Sequence, residues 1–337
     1  MKKGLVTTIV LVVFIFAFTA SITDLYHQAK EVSNDYKLIE IDREIALMDY
    51  EKAKIESFNK RTDLSAELSY VQNMNNYYSS LKNYYNLINS IVYDYKIAEL
   101  DLKVLELQIE NAEINFNNSE KLYEKNLISE NELKNSKISL NDIKNSLVNV
   151  KNNFNQKKEE YEKYFDTDLD SIEYEINLDN LNYTDETYVA SSLLVKQNKL
   201  NLELTKYNFD TLPQNSSQYD KRIAELNVKK SIINLENTVE NIEKQNKTSY
   251  VNLEAQKNTV NNLYETVSIK LNNLENDQNS FENGLISKTE LNQTKIDYYN
   301  TLKNLYSNEK NLLNNLINYI LNVQVSPEEV MNWILKI

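Results

Sequence analysis

The chain has 337 residues, a formal charge of −13, two glycines, two prolines and no cysteine. So few turn formers exclude compact β-rich and α/β folds, and the missing cysteine excludes a disulfide framework or a cysteine-based metal site or nucleophile. The acidic balance disfavours nucleic acid as a partner, and the single His27 has no second histidine to work with.

Residues 1–22 begin with two lysines and an apolar run, "MKKGLVTTIVLVVFIFAFTAS". That pattern is a secretory signal peptide or an uncleaved membrane anchor. Cleavage after Ser21 places Thr19 at −3, a better residue there than the Phe18 required for cleavage after Ala20. Either way the chain is exported and works in the cell envelope.

A helix is expected over 24–55, then a short connection, "ESFNKRT", and a long helix over about 62–125. Along that helix Leu64, Leu68, Val71, Tyr78, Tyr85, Ile88, Val92, Tyr95, Leu102, Leu105 and Ile109 recur at steps of three and four or their multiples, which puts them on one face. Its length is about 95 Å at 1.5 Å per residue. The stretch "EKNLISENELKNSKI" ends it with Asn126, which tolerates a left-handed backbone. Ser129 is then an N-cap with Glu132 at the third position of a capping box, so a return helix is expected over 130–164.

The acidic run "FDTDLDSIEYEINLDN" follows. Asp166, Asp168 and Asp170 imitate the start of a calcium loop, but no glycine follows and Asn177 stands where a glutamate is needed. The run reads as a linker with a short strand near 172–178.

The pattern then repeats. Setting Leu127 on Leu285 gives an offset of 158, and windows 121–138 and 279–296 share eight identities in eighteen positions. Asn126 meets Gly284, Ser129 meets Ser287, and Glu132 meets Glu290. The second copy is a helix over 186–212 stopped by Pro213, the connection "PQNSSQYD", a long helix over 220–283, the tip "ENGLISKTELNQTKI", and a return helix over 288–322. The domain reading is therefore a signal or anchor (1–22), a first helical repeat (24–165), an acidic linker (166–185), a second repeat (186–323) and a tail (324–337), "QVSPEEVMNWILKI", with an amphipathic end near Trp333 and no assigned role. Tyr77, Tyr78, Tyr84, Tyr85, Tyr93, Tyr95, Tyr298 and Tyr299 read as packing residues with a wet hydroxyl end. No catalytic, cofactor or metal constellation is visible, so an enzyme is not expected.

The tips "KNLIS" and "NGLIS", the segment "LVKQNKLNLELTKYNFDTLP", the motif "NNLINYILN" and the duplication together resemble the outer membrane factors, the TolC-like family of efflux and secretion ducts, over residues 24–323. The resemblance implies an all-α protomer of long antiparallel hairpins in two tandem repeats. It implies a homotrimer enclosing a bore, and docking of the tips on the periplasmic adaptor of an inner-membrane pump. The docking residues would be Asn126, Leu127, Ile128, Ser129, Asn283, Gly284, Leu285, Ile286 and Ser287, with the apolar tip residues exposed and needing a partner. By the same resemblance Glu290 is a candidate for an acidic ring at the bore entrance, although its match with Glu132 equally makes it a capping residue.

One departure is large. The family carries a β-hairpin before each long helix, and these form the barrel that crosses the outer membrane. A spanning strand needs about 9–11 residues, and neither connection here can cross and return. No transmembrane β-barrel is expected. The reading is a TolC-like efflux or secretion conduit, periplasmic or outer-membrane-associated, with membrane contact through the N-terminal segment if uncleaved. The alternative is a structural coiled-coil protein of the envelope without a bore. A pump adaptor is weaker, because no lipoyl or β-barrel segments are present.

Overall fold

The computed structural model describes residues 22–166, 175–176, 178, 181 and 183–336. The chain folds into α1 (Ile22–Val32), α2 (Asn34–Glu56), α3 (Lys60–Glu124), α4 (Glu130–Glu162), β1 (Glu175–Ile176), α5 (Asp185–Ser191), α6 (Leu193–Asp210), α7 (Gln218–Glu282), α8 (Lys288–Asn322), α9 (Pro327–Ile334) and β2 (Leu335–Lys336). The signal or anchor segment and most of the acidic linker lie outside the described residues.

The two long helices, α3 and α7, are each 65 residues, roughly 97 Å. A helix of that length cannot bury a face against itself and needs partners along its whole length. Toward one end α2 packs on α3 and α6 on α7, with α3 against α6. Toward the other end α4 packs on α3 and α8 on α7, with α3 against α8. Each half is thus a row of four helices. The connections at the α2–α3 and α6–α7 end are residues 57–59 and 211–217. They are too short to span a bilayer, as the sequence predicts.

Helices were expected to run unbroken over 24–55 and 186–212. Both are interrupted. At Ser33 the backbone is extended (ψ 119°) and its hydroxyl accepts from Tyr36 N–H at 3.2 Å. At Ser192 the backbone is again extended (ψ 115°) and its hydroxyl accepts from Val195 N–H at 3.3 Å. A serine that caps the following turn competes with continuing the helix. Both copies break at nearly the same register, so the duplication extends to this kink.

The kinks direct α1 and α5 into a core around the middle of the long helices. Ile22, Leu25, Tyr26 and Ala29 of α1 meet Tyr85, Ile88 and Val92 of α3, together with Leu312, Leu313, Leu316 and Ile320 of α8. The tail belongs here too. Val330 of α9 joins the core, and β2 pairs antiparallel with β1, with Ile176 opposite Leu335. A short strand was expected in the linker; its partner is the tail, which the sequence left without a role. Tyr84, Tyr85, Tyr93 and Tyr95 are buried as packing residues, but the hydroxyls of Tyr84 and Tyr85 are not wet as expected: both are buried, and that of Tyr85 donates to Glu328 at 2.7 Å. Among the described residues no helix is long and apolar enough to cross a membrane.

Buried polar groups tie the layers. Tyr26 donates to Asn89 at 2.7 Å, and Asn89 donates to Asn314 at 2.9 Å, joining α1, α3 and α8. In the second copy Tyr319 donates to Asn246 at 2.9 Å, and Asn246 donates to the Tyr183 carbonyl at 2.9 Å.

Candidate functional site

The two hairpin tips are built alike. Each long helix ends with a residue in the left-handed region, Asn126 at φ 56° and Gly284 at φ 73°. Leu127 N–H donates to the Leu122 carbonyl at 2.9 Å and Asn126 N–H to Tyr123 at 2.8 Å. Leu285 N–H donates to Ser280 at 2.8 Å and Gly284 N–H to Phe281 at 2.9 Å. This paired pattern is a Schellman motif, which satisfies carbonyls that a helix end would otherwise leave bare.

The return helices then start through complete capping boxes. Glu132 N–H donates to Ser129 Oγ at 3.2 Å, and Ser129 N–H donates to the Glu132 carboxylate at 2.7 Å. Glu290 and Ser287 repeat both bonds at the same lengths. Donation from the Ser287 backbone N–H, and then from its hydroxyl, holds Glu290 below the usual carboxylate range. Ser129 does the same for Glu132. Capping therefore accounts for the position of both glutamates.

Leu127 and Leu285 are 66% and 76% exposed. Ile128 and Ile286, expected to be exposed as well, are half-buried. Each tip thus presents one leucine at its apex. Asn126, Ser129, Asn283, Gly284 and Ser287 are exposed around it.

The two hairpins are held together by the α3–α8 seam. Lys310 meets Asp94 at 2.7 Å and Lys303 meets Asp101 at 2.7 Å. Nearer the tips, buried Asn292 donates to Glu110 at 2.8 Å and to Asn111 at 2.9 Å. The seven-residue spacing of the ion pairs on both helices is that of an antiparallel seam of nearly straight helices. It fixes the spacing of the two tips.

A second feature lies along the flank of α2. Leu38, Ile41, Ile45 and Met48 are exposed by 57%, 49%, 50% and 62%. Their steps of three, four and three make one straight stripe. From the sequence, 24–55 is expected only to pack on α3, and this stripe is not among the expectations. The same three-four steps that mark a core face could have revealed it, once the α3-facing residues were assigned.

No protein-family model matches this chain, and no curated protein is similar to it in sequence. Solved structures are similar in fold. One is the outer membrane protein VceC from Vibrio cholerae, with a TM-score of 0.57 and 10% identity over 89% of this chain and 95% of that one. The Campylobacter jejuni CmeC outer membrane channel has a TM-score of 0.55 and 12% identity over 92% and 88%. A structure of CusC, described in terms of folding and transmembrane channel formation, has 0.53 and 10% over 92% and 94%.

The fold is TolC-like.

At these identities the likeness is one of architecture, carried by helix order and length rather than by shared side chains. Within the TolC-like fold the paired tips form one pole. The connections 57–59 and 211–217 form the other.

Proposed function

We propose that the chain is the conduit subunit of an envelope efflux or secretion system. Three copies set their four-helix rows edge to edge and enclose a bore, and the hairpin tips dock a pump adaptor. The observation that carries this reading is the exposed α2 stripe. A row of exposed apolar residues at coiled-coil spacing on the outer helix of a four-helix row calls for a helical partner, and an edge helix meets a neighbouring copy first. The likeness to outer membrane channels supports the same reading.

The chain itself does no chemistry in this role. It supplies a passage, and the pump supplies the energy. Leu127 and Leu285, at the two apices, are the anchors for the adaptor, with Asn126, Ile128, Ser129, Asn283, Gly284, Ile286 and Ser287 shaping the surface around them. Three Glu290 carboxylates, exposed and ionised at neutral pH, would set an acidic rim at the tip end of the bore.

Light scattering on the exported chain over a range of concentrations tests the assembly. Three times the mass of one chain is expected, followed by a central bore under electron microscopy. A single-chain mass at every concentration would overturn the self-assembled duct and favour a spacer without a channel.

A further inference from the structure

The pole opposite the tips carries a second set of exposed apolar side chains. Ile55 at the end of α2 is 85% exposed, Phe58 in the connection to α3 is 82% exposed, and Tyr219 at the start of α7 is 73% exposed. The two connections lie at the same end. Leu64 and Leu68 of α3 pack with Leu200 and Leu204 of α6, and Lys196 meets Glu67 at 3.2 Å, so α3 and α6 run antiparallel with both connections beyond them.

The charge at this pole departs from that of the whole. Residues 51–63 and 205–222 hold seven basic side chains against five acidic ones, within a chain whose formal charge is −13. Two of the three arginines of the chain, Arg61 and Arg222, are here. Lys60 and Arg61 are exposed beside Phe58. The tip pole has the opposite balance: residues 120–134 and 275–290 hold eight acidic side chains against four basic ones.

We propose that this pole is a membrane-docking surface that seats Ile55, Phe58 and Tyr219 in the interfacial layer of an anionic lipid bilayer. The exposed Lys60 and Arg61 meet the headgroups, while Arg222 is held by Glu225 at 2.7 Å and Lys221 by the Gln214 carbonyl at 3.2 Å. Apolar insertion and a basic rim are the two signals that together hold a protein at a lipid surface. An aromatic ring with a polar tip, as in Tyr219, suits the headgroup level. The contact is peripheral, needs no spanning strand, and does not depend on the chain being trimeric.

The chain has no cysteine, so single labels are unambiguous. Full-length Phe58→Cys, Tyr219→Cys and Leu127→Cys proteins would each carry a polarity-sensitive fluorophore. They are mixed with phosphatidylethanolamine vesicles containing phosphatidylglycerol, and separately with phosphatidylcholine vesicles. Labels at positions 58 and 219 should move to an apolar environment on the anionic vesicles, less on the neutral ones and less in high salt. The label at 127 should stay in water. The Ile55→Ser/Phe58→Ser/Tyr219→Ser protein, with helicity checked by circular dichroism, should lose roughly tenfold or more of the vesicle-induced shift of a label placed at Gln218. The proposal fails if labels at 58 and 219 stay in water on every vesicle, even when the protein is vesicle-bound through another segment. It also fails if the label at 127 responds equally, or if 58 and 219 become shielded without lipid, which would mark a protein contact.

Discussion

Asn126 and Gly284 occupy the same place in the two tips, and only one of them is glycine. A Cβ added at Gly284 would meet nothing within 4 Å, so the constraint there is the backbone at φ 73° and not the space around it. Asparagine adopts that conformation with little strain, as Asn126 does at φ 56°. Gly284→Asn should therefore leave thermal stability within about 0.5 kcal/mol, whereas Gly284→Val should cost roughly 1–2 kcal/mol. Chemical denaturation of the three proteins checks this, and equal losses for Asn and Val would mean that something other than φ is at work. The tips were the most legible part of the sequence for the same reason. Left-handed residues, N-cap serines and N3 glutamates are local rules, fixed within six residues of chain.

At the scale of elements, local rules run out. The long helices matched their expected spans closely, because periodicity accumulates over 65 residues. The kinks at Ser33 and Ser192 did not emerge, since a serine inside an apolar period is read as tolerated unless the tertiary demand to turn α1 and α5 inward is known. Nor did the pairing of β1 with β2, which joins residues 159 and 161 positions apart through two-residue strands. The α3–α8 seam is likewise non-local, and its parts should differ in weight. Asn292 is fully buried, so Asn292→Ala removes the donor to Glu110 and Asn111 and should cost about 1–2 kcal/mol. Lys303→Ala or Lys310→Ala, at partly exposed pairs, should cost less than about 1 kcal/mol each. Urea titration of the single variants would separate them, and a larger loss at either lysine would reverse the order.

Two buried glutamates give the core a pH dependence of opposite signs. Burial pushes the Glu309 carboxyl up to about 7, despite the hydrogen bond from Tyr264, the charge of Lys96 and a bond from Tyr93. From its ordinary value of 4.5 up to about 7 the folded chain holds this proton more tightly than the unfolded chain, so stability falls as pH rises through that window. Burial also acts on Glu328, but the Lys30 ammonium at 2.5 Å and the Tyr85 hydroxyl at 2.7 Å outweigh it and hold that carboxyl low. Its contribution is present above 4.5 and is lost as pH falls below that value. The melting temperature should therefore peak between the two windows, on the acid side of neutrality. Glu309→Gln should flatten the loss toward alkaline pH, a change of roughly 1–3 kcal/mol across the window, while leaving the acid limb in place. A melting curve series in which that variant keeps the wild-type slope would show that Glu309 is not the titrating group.

For the whole molecule, the decisive surface is the one a single chain leaves uncovered. The rows α2–α3–α6–α7 and α4–α3–α8–α7 are held by internal seams, and α2 stands at the edge of the first row with its apolar stripe outward. Placing a charge there should not disturb the fold, because Ile41 and Met48 are about half exposed or more and contribute little to the core. It should disturb association strongly, because a carboxylate at a coiled-coil seam position is desolvated without a partner. Ile41→Glu/Met48→Glu should keep the helicity of the wild type and reduce the mass in solution to that of one chain. Leu285→Glu, at the exposed apex of a tip, should leave the mass unchanged, since in the proposed duct a tip faces away from a neighbouring row. If instead the α2 variant keeps its mass while the tip variant dissociates, the copies meet through their tips, and the side-by-side duct gives way to an end-to-end assembly.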